Sequence, residues 1–398
     1  MNVSRITFII LLFTIPVLLT GCWDRKEVND LAIITAAGFD RKSKDKMELT
    51  VLVFIPKTAG GNQAMGGGGG SGGGKQVLIR SAEGVSVTDA FSNLQQKFPR
   101  LLFWGHTEVF IINEKFAEED IRPHFDFILR HPQLRDRAHI FISKQKAKEV
   151  LTLSPPLERD LAEVLRELAT LKIGMDVTIK EFAQMQIGHS KAAAVPFIEM
   201  LPPPEDRKPE ETIAYITGTA ILKRGKMVGF IDESVTRGVL WLRNEIKDAI
   251  VTVKPEGVEG YISMNLLRAK TMLKPTIENG KWMITLKAVT EDDIIKNGTK
   301  LNLSDENVIK MLEQKLKADI IQKAETTLDI VQKEMKTDVF GFAEAFHRAY
   351  PDIWKENKDN WEEIFPTVEV VVNADAYIRR PGMVTRPSLI PEDEVIED

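Results

Sequence analysis

The sequence predicts a mixed α/β body of the α+β class, with more than one domain, behind an apolar N-terminal segment. Three patterns support this prediction: an apolar run that ends at the only cysteine, a strand–helix–strand pattern in the first half, and hairpins with one long amphipathic helix in the second half. The 398 residues are 43% hydrophobic and 28% charged, which is ordinary for globular protein and sufficient for two or three cores.

A signal peptide is predicted for residues 1–21. Residues 6–20 are nearly all apolar and Arg5 is the only charged side chain before them, but the run is shorter than the roughly 20 residues that cross a bilayer. Leu19-Thr20-Gly21-Cys22 resembles the bacterial lipobox, whose cysteine sulfur becomes thioether-linked to diacylglycerol and whose new N-terminus is acylated. The alternative is an uncleaved anchor helix, which Pro16 and the short run disfavour. We therefore predict Cys22 as the S-diacylglycerol and N-acyl attachment point, which would anchor the body stably to a membrane.

The N-terminal domain is predicted at 22–200. The apolar runs 31–40 and 47–56 predict two strands joined by a charged turn. Residues 60–75 contain ten glycines in sixteen positions, and because such a segment buries little apolar area we predict a disordered loop. This loop lacks the Walker-type spacing of a phosphate-binding segment.

A βαβ unit is predicted inside this domain. Residues 106–113 and 137–143 have strand patterns, and Ile121, Phe125 and Ile128 between them share one helical face. A strand, a helix and a strand at this spacing are typical of a parallel crossover. A strongly amphipathic helix is predicted to follow at 157–171.

The Pro-rich residues 201–212 are predicted as a linker to a C-terminal domain at 213–385, which could comprise two subdomains divided near 300. This domain is predicted as an antiparallel sheet packed with a long helix. A hairpin is expected at 213–232 and a second one around Asn279-Gly280. The long helix would start at Ser304 and present an apolar stripe from Val308 to Met335, a strand is expected at 368–378, and 386–398 form an acidic tail that we expect to be disordered.

Catalysis is not predicted. The sequence contains no G-x-S-x-G, H-E-x-x-H or C-x-x-C motif, so we expect no enzyme activity, no cofactor and no metal. His124, His131 and His139 are close in sequence, but a metal site would require the fold to bring them together. The net charge of −5 and the lack of a polybasic run argue against a nucleic-acid partner.

Two aromatic segments each allow two interpretations. Arg237, Trp241 and Arg243 fall near one another on a predicted helix and could form an interface, or Trp241 could belong to the core with arginines at its rim. Residues 345–366 contain two tryptophans and a tyrosine, which could form a docking surface or fix a helix–turn–helix piece internally.

The mature N-terminus resembles the C-subunit lipoproteins of nutrient germinant receptors from spore-forming bacteria, the Ger(x)C family. The residues that match are Cys22, Trp23, Asp24, Glu27, Leu31, Ala32, Gly38 and Asp40. Later stretches at 98–117, 216–242 and 338–354 are also similar, so the resemblance extends over essentially the whole chain.

The resemblance implies a lipoprotein subunit anchored on the outer face of the inner spore membrane. It implies A-type and B-type receptor subunits as partners, a response to amino acids, sugars or nucleosides, and a three-domain mixed α/β body without a recognised catalytic site. Only the role of Cys22 as the acylated residue carries over to this sequence, and the ligand-binding residues stay unknown.

The alternative function is a solute-binding lipoprotein of a membrane transporter. Such proteins consist of two similar α/β lobes around a cleft, whereas the two halves of this sequence have different patterns. A surface hydrolase is a third class, and it would require nucleophilic or acidic residues that converge in the fold.

Overall fold

A computed structural model describes residues 27–55 and 77–382, together with residues 384, 386–387, 390–391 and 395–396. The predictions of a signal peptide at 1–21, of acylation at Cys22 and of a disordered loop at 60–75 therefore concern residues outside the described ranges. Within those ranges the chain forms two β-sheets with helices packed on them. No helix there is both long and apolar enough to cross a bilayer.

The first sheet has nine strands within the described ranges, in the order β3-β2-β1-β5-β6-β7-β8-β9, with β4 beside the start of β1. Its centre, from β1 through β5 and β6 to β7, is parallel, and antiparallel pairs flank it on both sides. The strands are β1 (Leu31–Ser43), β2 (Lys46–Phe54), β3 (Val77–Gly84), β4 (Leu101–Phe103), β5 (Val109–Asn113), β6 (His139–Ser143), β7 (Ala192–Met200), β8 (Ala214–Lys223) and β9 (Lys226–Asp232).

Helices cover both faces of this sheet, which explains why its parallel strands are continuously apolar. Residues of α1, α3 and α6 pack on one face, and residues of α4 and α5 on the other. The helices of this part of the chain are α1 (Val87–Gln95), α2 (Glu114–Ala117), α3 (Arg122–Arg130), α4 (Ala147–Leu151), α5 (Leu161–Thr170), α6 (Ile179–Ile187) and α7 (Glu233–Leu242).

Several expected elements are confirmed in the first sheet. Strands β5 and β6 are parallel, with α2 and α3 between them, as the βαβ prediction required. The helix expected at 157–171 begins at Leu161, because the Asp160 carboxylate accepts the Glu163 N–H and caps it.

Gly38 and Asp40 of β1 contact the start of α4. The Asp40 carboxylate accepts the N–H groups of Ala147 at 2.7 Å and of Lys148 at 2.9 Å. A Cβ at position 38 would lie 2.8 Å from the Ala147 Cβ, so glycine permits this close approach. Burial raises the pKa of Asp40, although both N–H donors favour its charged form. The Gly-x-Asp pattern that closes the first apolar run therefore has a packing and capping role.

The hairpin expected at 213–232 forms as β8 and β9, and it belongs to the first sheet. Strand β8 pairs antiparallel with β7 from Ala192 to Met200. Residues 201–212, expected to link two domains, therefore join neighbouring strands of one sheet. By strand pairing the first sheet ends at Asp232, and the second sheet begins at Ile250.

The second sheet has the order β10-β11-β12-β13, formed by β10 (Ile250–Val253), β11 (Ile262–Glu278), β12 (Lys281–Asn297) and β13 (Glu369–Arg380). The hairpin β11–β12 turns at Asn279 and Gly280, whose φ angles of 51° and 78° are the left-handed pair that a type I′ turn requires. The predicted antiparallel pairing is found for β10 with β11 and for β11 with β12, whereas β13 runs parallel to β12, a direction that the prediction did not include. Helices occupy the chain between β12 and β13, and such a crossover returns a strand in the parallel sense.

The predicted long helix forms as α8 (Glu306–Thr327) and continues as a π-helix at Leu328–Glu334. Asp305, not Ser304, caps its start by accepting the Asn307 N–H. Its buried stripe packs beneath the second sheet, consistent with the predicted apolar pattern, and comprises Val308, Leu312, Leu316, Ile320 and Ala324. Short helices follow as α9 (Phe342–Ala349), α10 (Pro351–Asn357) and α11 (Trp361–Ile364).

The acidic tail is described at a few positions only. Among them Ile396 forms a parallel bridge with Leu301, and its N–H donates to the Lys300 carbonyl at 2.9 Å.

Candidate functional site

A cleft of about 580 Å³ lies where the first sheet meets the helices that precede β13. We call it the junction cleft. It is lined on one side by the segment before α6 and by α6 itself, and on the other by the end of α7 and the start of α9. Charged residues of both signs line it: Lys172, Asp176, Glu181, Arg243, Glu245, Lys247, Asp338 and Glu344.

Asp338 organises one wall of the junction cleft. Its buried carboxylate accepts four backbone N–H groups at the start of α9, between Phe340 and Ala343, at 2.8–3.2 Å. It also accepts the indole N–H of Trp361 at 3.1 Å. Burial raises the pKa of Asp338 to about 6, and the N–H donors limit this rise. Gly341 has a φ of +84°, the left-handed conformation that glycine adopts without strain.

A pair of histidines joins the two sides of the cleft. The rings of His189, after α6, and His347, in α9, lie 4.2 Å apart, and Trp354 packs edge-on against His189 at 5.3 Å. The backbone N–H of His189 donates to the Glu344 carboxylate at 3.0 Å. Burial lowers the pKa of His189, and the neighbouring His347 lowers it further.

Cations of the β8–β9 turn and of the end of α7 bind acceptors that lie about 100 residues or more further along the chain. Arg243 donates to the Val339 carbonyl at 2.7 Å. At the β8–β9 turn, Lys223 and Arg224 contact the Glu362 carboxylate at 2.9 and 2.6 Å. Burial by itself would raise the pKa of Glu362, but these two cations lower it overall.

The acidic side chains around the cleft are bound by groups of the protein itself. The carboxylates of Asp338, Glu344 and Glu362 are each engaged by donors of the protein itself. Within the described part of the chain, no group of three or more His, Cys, Asp or Glu side chains could hold a metal ion.

The structure places the residues singled out in the sequence at separate positions. Trp241 is buried in the core, and Arg237 and Arg243 are paired with Glu233 and Glu245, so the core interpretation of this helix is confirmed. The two tryptophans of 345–366 are also buried, in contact with each other at 5.2 Å, which favours the internal helix–turn–helix interpretation.

The three histidines near one another in sequence do not converge. His124 packs on Phe116, His131 lies in an aromatic cluster with Phe127, and His139 contacts Asp176. Burial lowers the pKa of His124 and of His131.

Sequence reasoning missed the junction cleft. Asp338 has a recognisable signal, because an aspartate shortly before a glycine and an apolar helical run is typical of an N-terminal cap. His189 and Glu344 are 155 residues apart, and no local pattern connects them.

The two parts of the chain match two families of domains. Residues 24–200 match the family described as "Spore germination protein N-terminal domain". Residues 217–382 match the family described as "Spore germination B3/ GerAC like, C-terminal". Together these matches extend over most of the chain, including both sheets.

Curated relatives match over nearly their full length. Spore germination protein KC of Bacillus subtilis (strain 168) is 27% identical over 97% of this chain and 98% of its own. Spore germination protein B3 of the same organism is 24% identical over 89% of this chain and 92% of its own. The crystal structure of the GerBC protein is 20% identical, covers 86% of this chain and 96% of its own, and superposes with a TM-score of 0.56, which shows the shared fold. By these matches, the chain belongs to the Ger(x)C family of spore germination proteins.

Proposed function

We propose that this chain is the lipid-anchored C subunit of a nutrient germinant receptor. Acylated Cys22 would hold it on the outer face of the inner spore membrane, where it would act with A-type and B-type subunits to trigger germination. The observation that carries the proposal is the near full-length match to spore germination proteins in a chain whose only cysteine ends a lipobox-like sequence.

The proposal assigns no catalytic step to this subunit. At and around the junction cleft, charged side chains bind backbone groups of distant segments, as Glu344 and Arg243 do, or pair with each other, as Lys223 and Glu362 do. Polar contacts between distant segments support a role in binding a partner and in transmitting a change of position from one segment to the other.

The alternative of a solute-binding lipoprotein is less well supported. It would require two similar lobes, whereas one sheet here is nine-stranded with a parallel centre and the other is four-stranded and mainly antiparallel. Tight binding of one small nutrient by the isolated chain would favour that alternative.

The proposal is tested by the variant Cys22→Ala, with Thr20→Ala as a matched control that keeps a small residue before the cysteine. Mass spectrometry of the native and Thr20→Ala proteins should find an N-terminal Cys22 that carries acyl chains, and spores should respond to nutrient. Cys22→Ala should lack the acyl chains and lose the nutrient response. The mass is decisive, because an uncleaved apolar segment could itself retain the variant on the membrane. An intact Met1 or a free thiol at Cys22 in the native protein would refute the anchor.

A pull-down of the acylated protein from spore inner membrane tests the partners. Co-recovery of A-type and B-type subunits supports the proposed complex, and recovery of the chain without them from detergent-solubilised membrane contradicts it.

A further inference from the structure

The segment between the proposed anchor and the folded body is short. Cys22 and Glu27, the first described residue, are five positions apart. Five residues span at most about 18 Å even when fully extended. Immediately after Glu27 the chain forms a short 3₁₀-helix, Val28–Asp30, and enters β1 at Leu31. If Cys22 is acylated, the start of β1 must therefore lie close to the bilayer surface.

Three exposed apolar side chains lie at this end of the first sheet. Val28 is 62% exposed, Leu101 48% and Ile55 44%. Leu31 pairs with Leu101, and Ile33 pairs with Phe54, which precedes Ile55. Residues from β1, β2 and β4 thus meet at one edge although they are distant in sequence. We call the group Val28, Leu31, Ile55 and Leu101 the anchor-proximal edge.

The opposite end of β1 carries more charge, although Val85, 69% exposed, follows Gly84 there. There the β1–β2 turn is rich in charge, with Lys44 exposed at its tip, and Arg41 and Lys42 form ion pairs with Glu119 and Glu83. At about 3.4 Å per residue, the 13 residues of β1 separate the two ends by about 40 Å. The two ends of β1 therefore differ. Exposed Val28, Ile55 and Leu101 lie where the anchor emerges, beside exposed Glu27 and Asp30, whereas the far end carries mainly charged side chains.

We propose that the anchor-proximal edge rests on the bilayer surface, with Val28, Ile55 and Leu101 in the headgroup region. This inference rests on the proposed acylation of Cys22. A lipid surface fits the edge because the tether brings it there and because exposed apolar residues gain by leaving water at an interface. Arg100 is exposed beside Leu101 and is placed to contact lipid phosphates.

Exposed apolar residues elsewhere have a different setting. On the outer face of the second sheet, Val371 and Tyr377 alternate with residues that are joined in ion pairs, Lys287 with Asp375 and Arg379 with Glu291. No short tether leads to that face. The bilayer contact is therefore assigned to the anchor-proximal edge, which the short tether reaches, and not to the outer face of the second sheet.

Site-directed spin labelling tests the proposal on the full mature chain. The sulfur of Cys22 is blocked by the diacylglyceryl thioether, so an introduced cysteine is the only free thiol. Leu101→Cys and Ile55→Cys report on the anchor-proximal edge, and Lys44→Cys at the charged end is the matched control. The labelled proteins are reconstituted into vesicles of phosphatidylglycerol and phosphatidylethanolamine. Their collisions with lipid-soluble oxygen and with a water-soluble nickel chelate are then compared.

The expected result is a higher ratio of oxygen to nickel accessibility at 101 and 55 than at 44. Equal ratios at all three positions, in a chain shown to be acylated and bound to vesicles, overturn the docking while the anchor stands. Protection of 101 from both reagents indicates contact with protein, such as a second copy, and also overturns it. A chain without acyl groups refutes the proposed function and this inference together. Circular dichroism of each variant confirms that the labelled chains are folded.

Discussion

Gly238 lies in the middle of α7 and lets this helix pack directly on α8. A Cβ at position 238 would overlap the Thr327 hydroxyl oxygen and would lie 2.8 Å from the Thr327 Cβ and 2.9 Å from the Lys323 carbonyl oxygen. In an open helix, Gly→Ala stabilises by about 1 kcal/mol. Here overpacking costs about 3 kcal/mol, because a backbone contact cannot be relieved by a rotamer change. Loss of the Thr327 hydrogen bond to the Lys323 carbonyl adds about 1 kcal/mol. We therefore expect Gly238→Ala to lower the free energy of unfolding by about 3 kcal/mol.

Denaturant unfolding of the mature chain, followed by far-ultraviolet circular dichroism, measures this effect. Thr327→Ala and the double variant complete a mutant cycle, and because the hydroxyl is the nearest atom the double variant should recover part of the loss. The reasoning is refuted if Gly238→Ala is neutral or stabilising, or if the two substitutions are simply additive.

Three further outcomes follow from buried or paired side chains. Burial raises the pKa of Asp292 from 3.8 to about 6. Protonated Asp292 therefore adds about 3 kcal/mol to the free energy of unfolding below pH 3.8, and this contribution is lost as pH rises past 6. Asp292→Asn should flatten the stability curve over this range, measured by denaturation at a series of pH values. Glu362→Gln, at a partly exposed site, should cost less than about 1 kcal/mol, and the loss should shrink further in high salt. Trp361→Phe removes the indole donor to Asp338 and should cost about 2 kcal/mol, seen as a lower melting temperature; an unchanged melting temperature would contradict the role of this hydrogen bond.

Elements whose form depends on nearby residues were predictable. The apolar stripe from Val308 to Ala324 repeats at helical spacing. In the β11–β12 hairpin, Asn279-Gly280 provides the two left-handed positions of the turn. The β5–β6 unit also followed from periodicity, because its strands are short apolar runs on either side of an amphipathic helix.

Strand partners were harder to predict, because alternation tells which face of a strand is buried but not which strand lies beside it. The pattern at 213–232 predicts a hairpin equally well in either sheet, and only the pairing of β7 with β8 assigns it to the first. The direction of β13 depends on the path of the intervening helices and not on its own residues.

The candidate site was likewise predictable only in part. Trp241 and Trp354 were recognised as notable residues, and burial in the fold decided between their two interpretations. The contacts of His189 with Glu344 and His347 depend on residues brought together from far apart in the chain. The role of Cys22 depends on an enzymatic modification near the membrane, and it stays a prediction from the sequence.

The shared first sheet has a consequence for how the molecule is made. Strand β7 belongs to the segment matched by one family and β8 and β9 to the hairpin at the start of the other. A fragment that stops at residue 200 would leave β7, which is buried in the full sheet, as an exposed edge strand that can pair with other polypeptides. A nascent polypeptide emerging from the ribosome faces the same gap until Asp232 has been added. The boundary between the two family matches thus cuts through one sheet, and expression of either half by itself should favour aggregation.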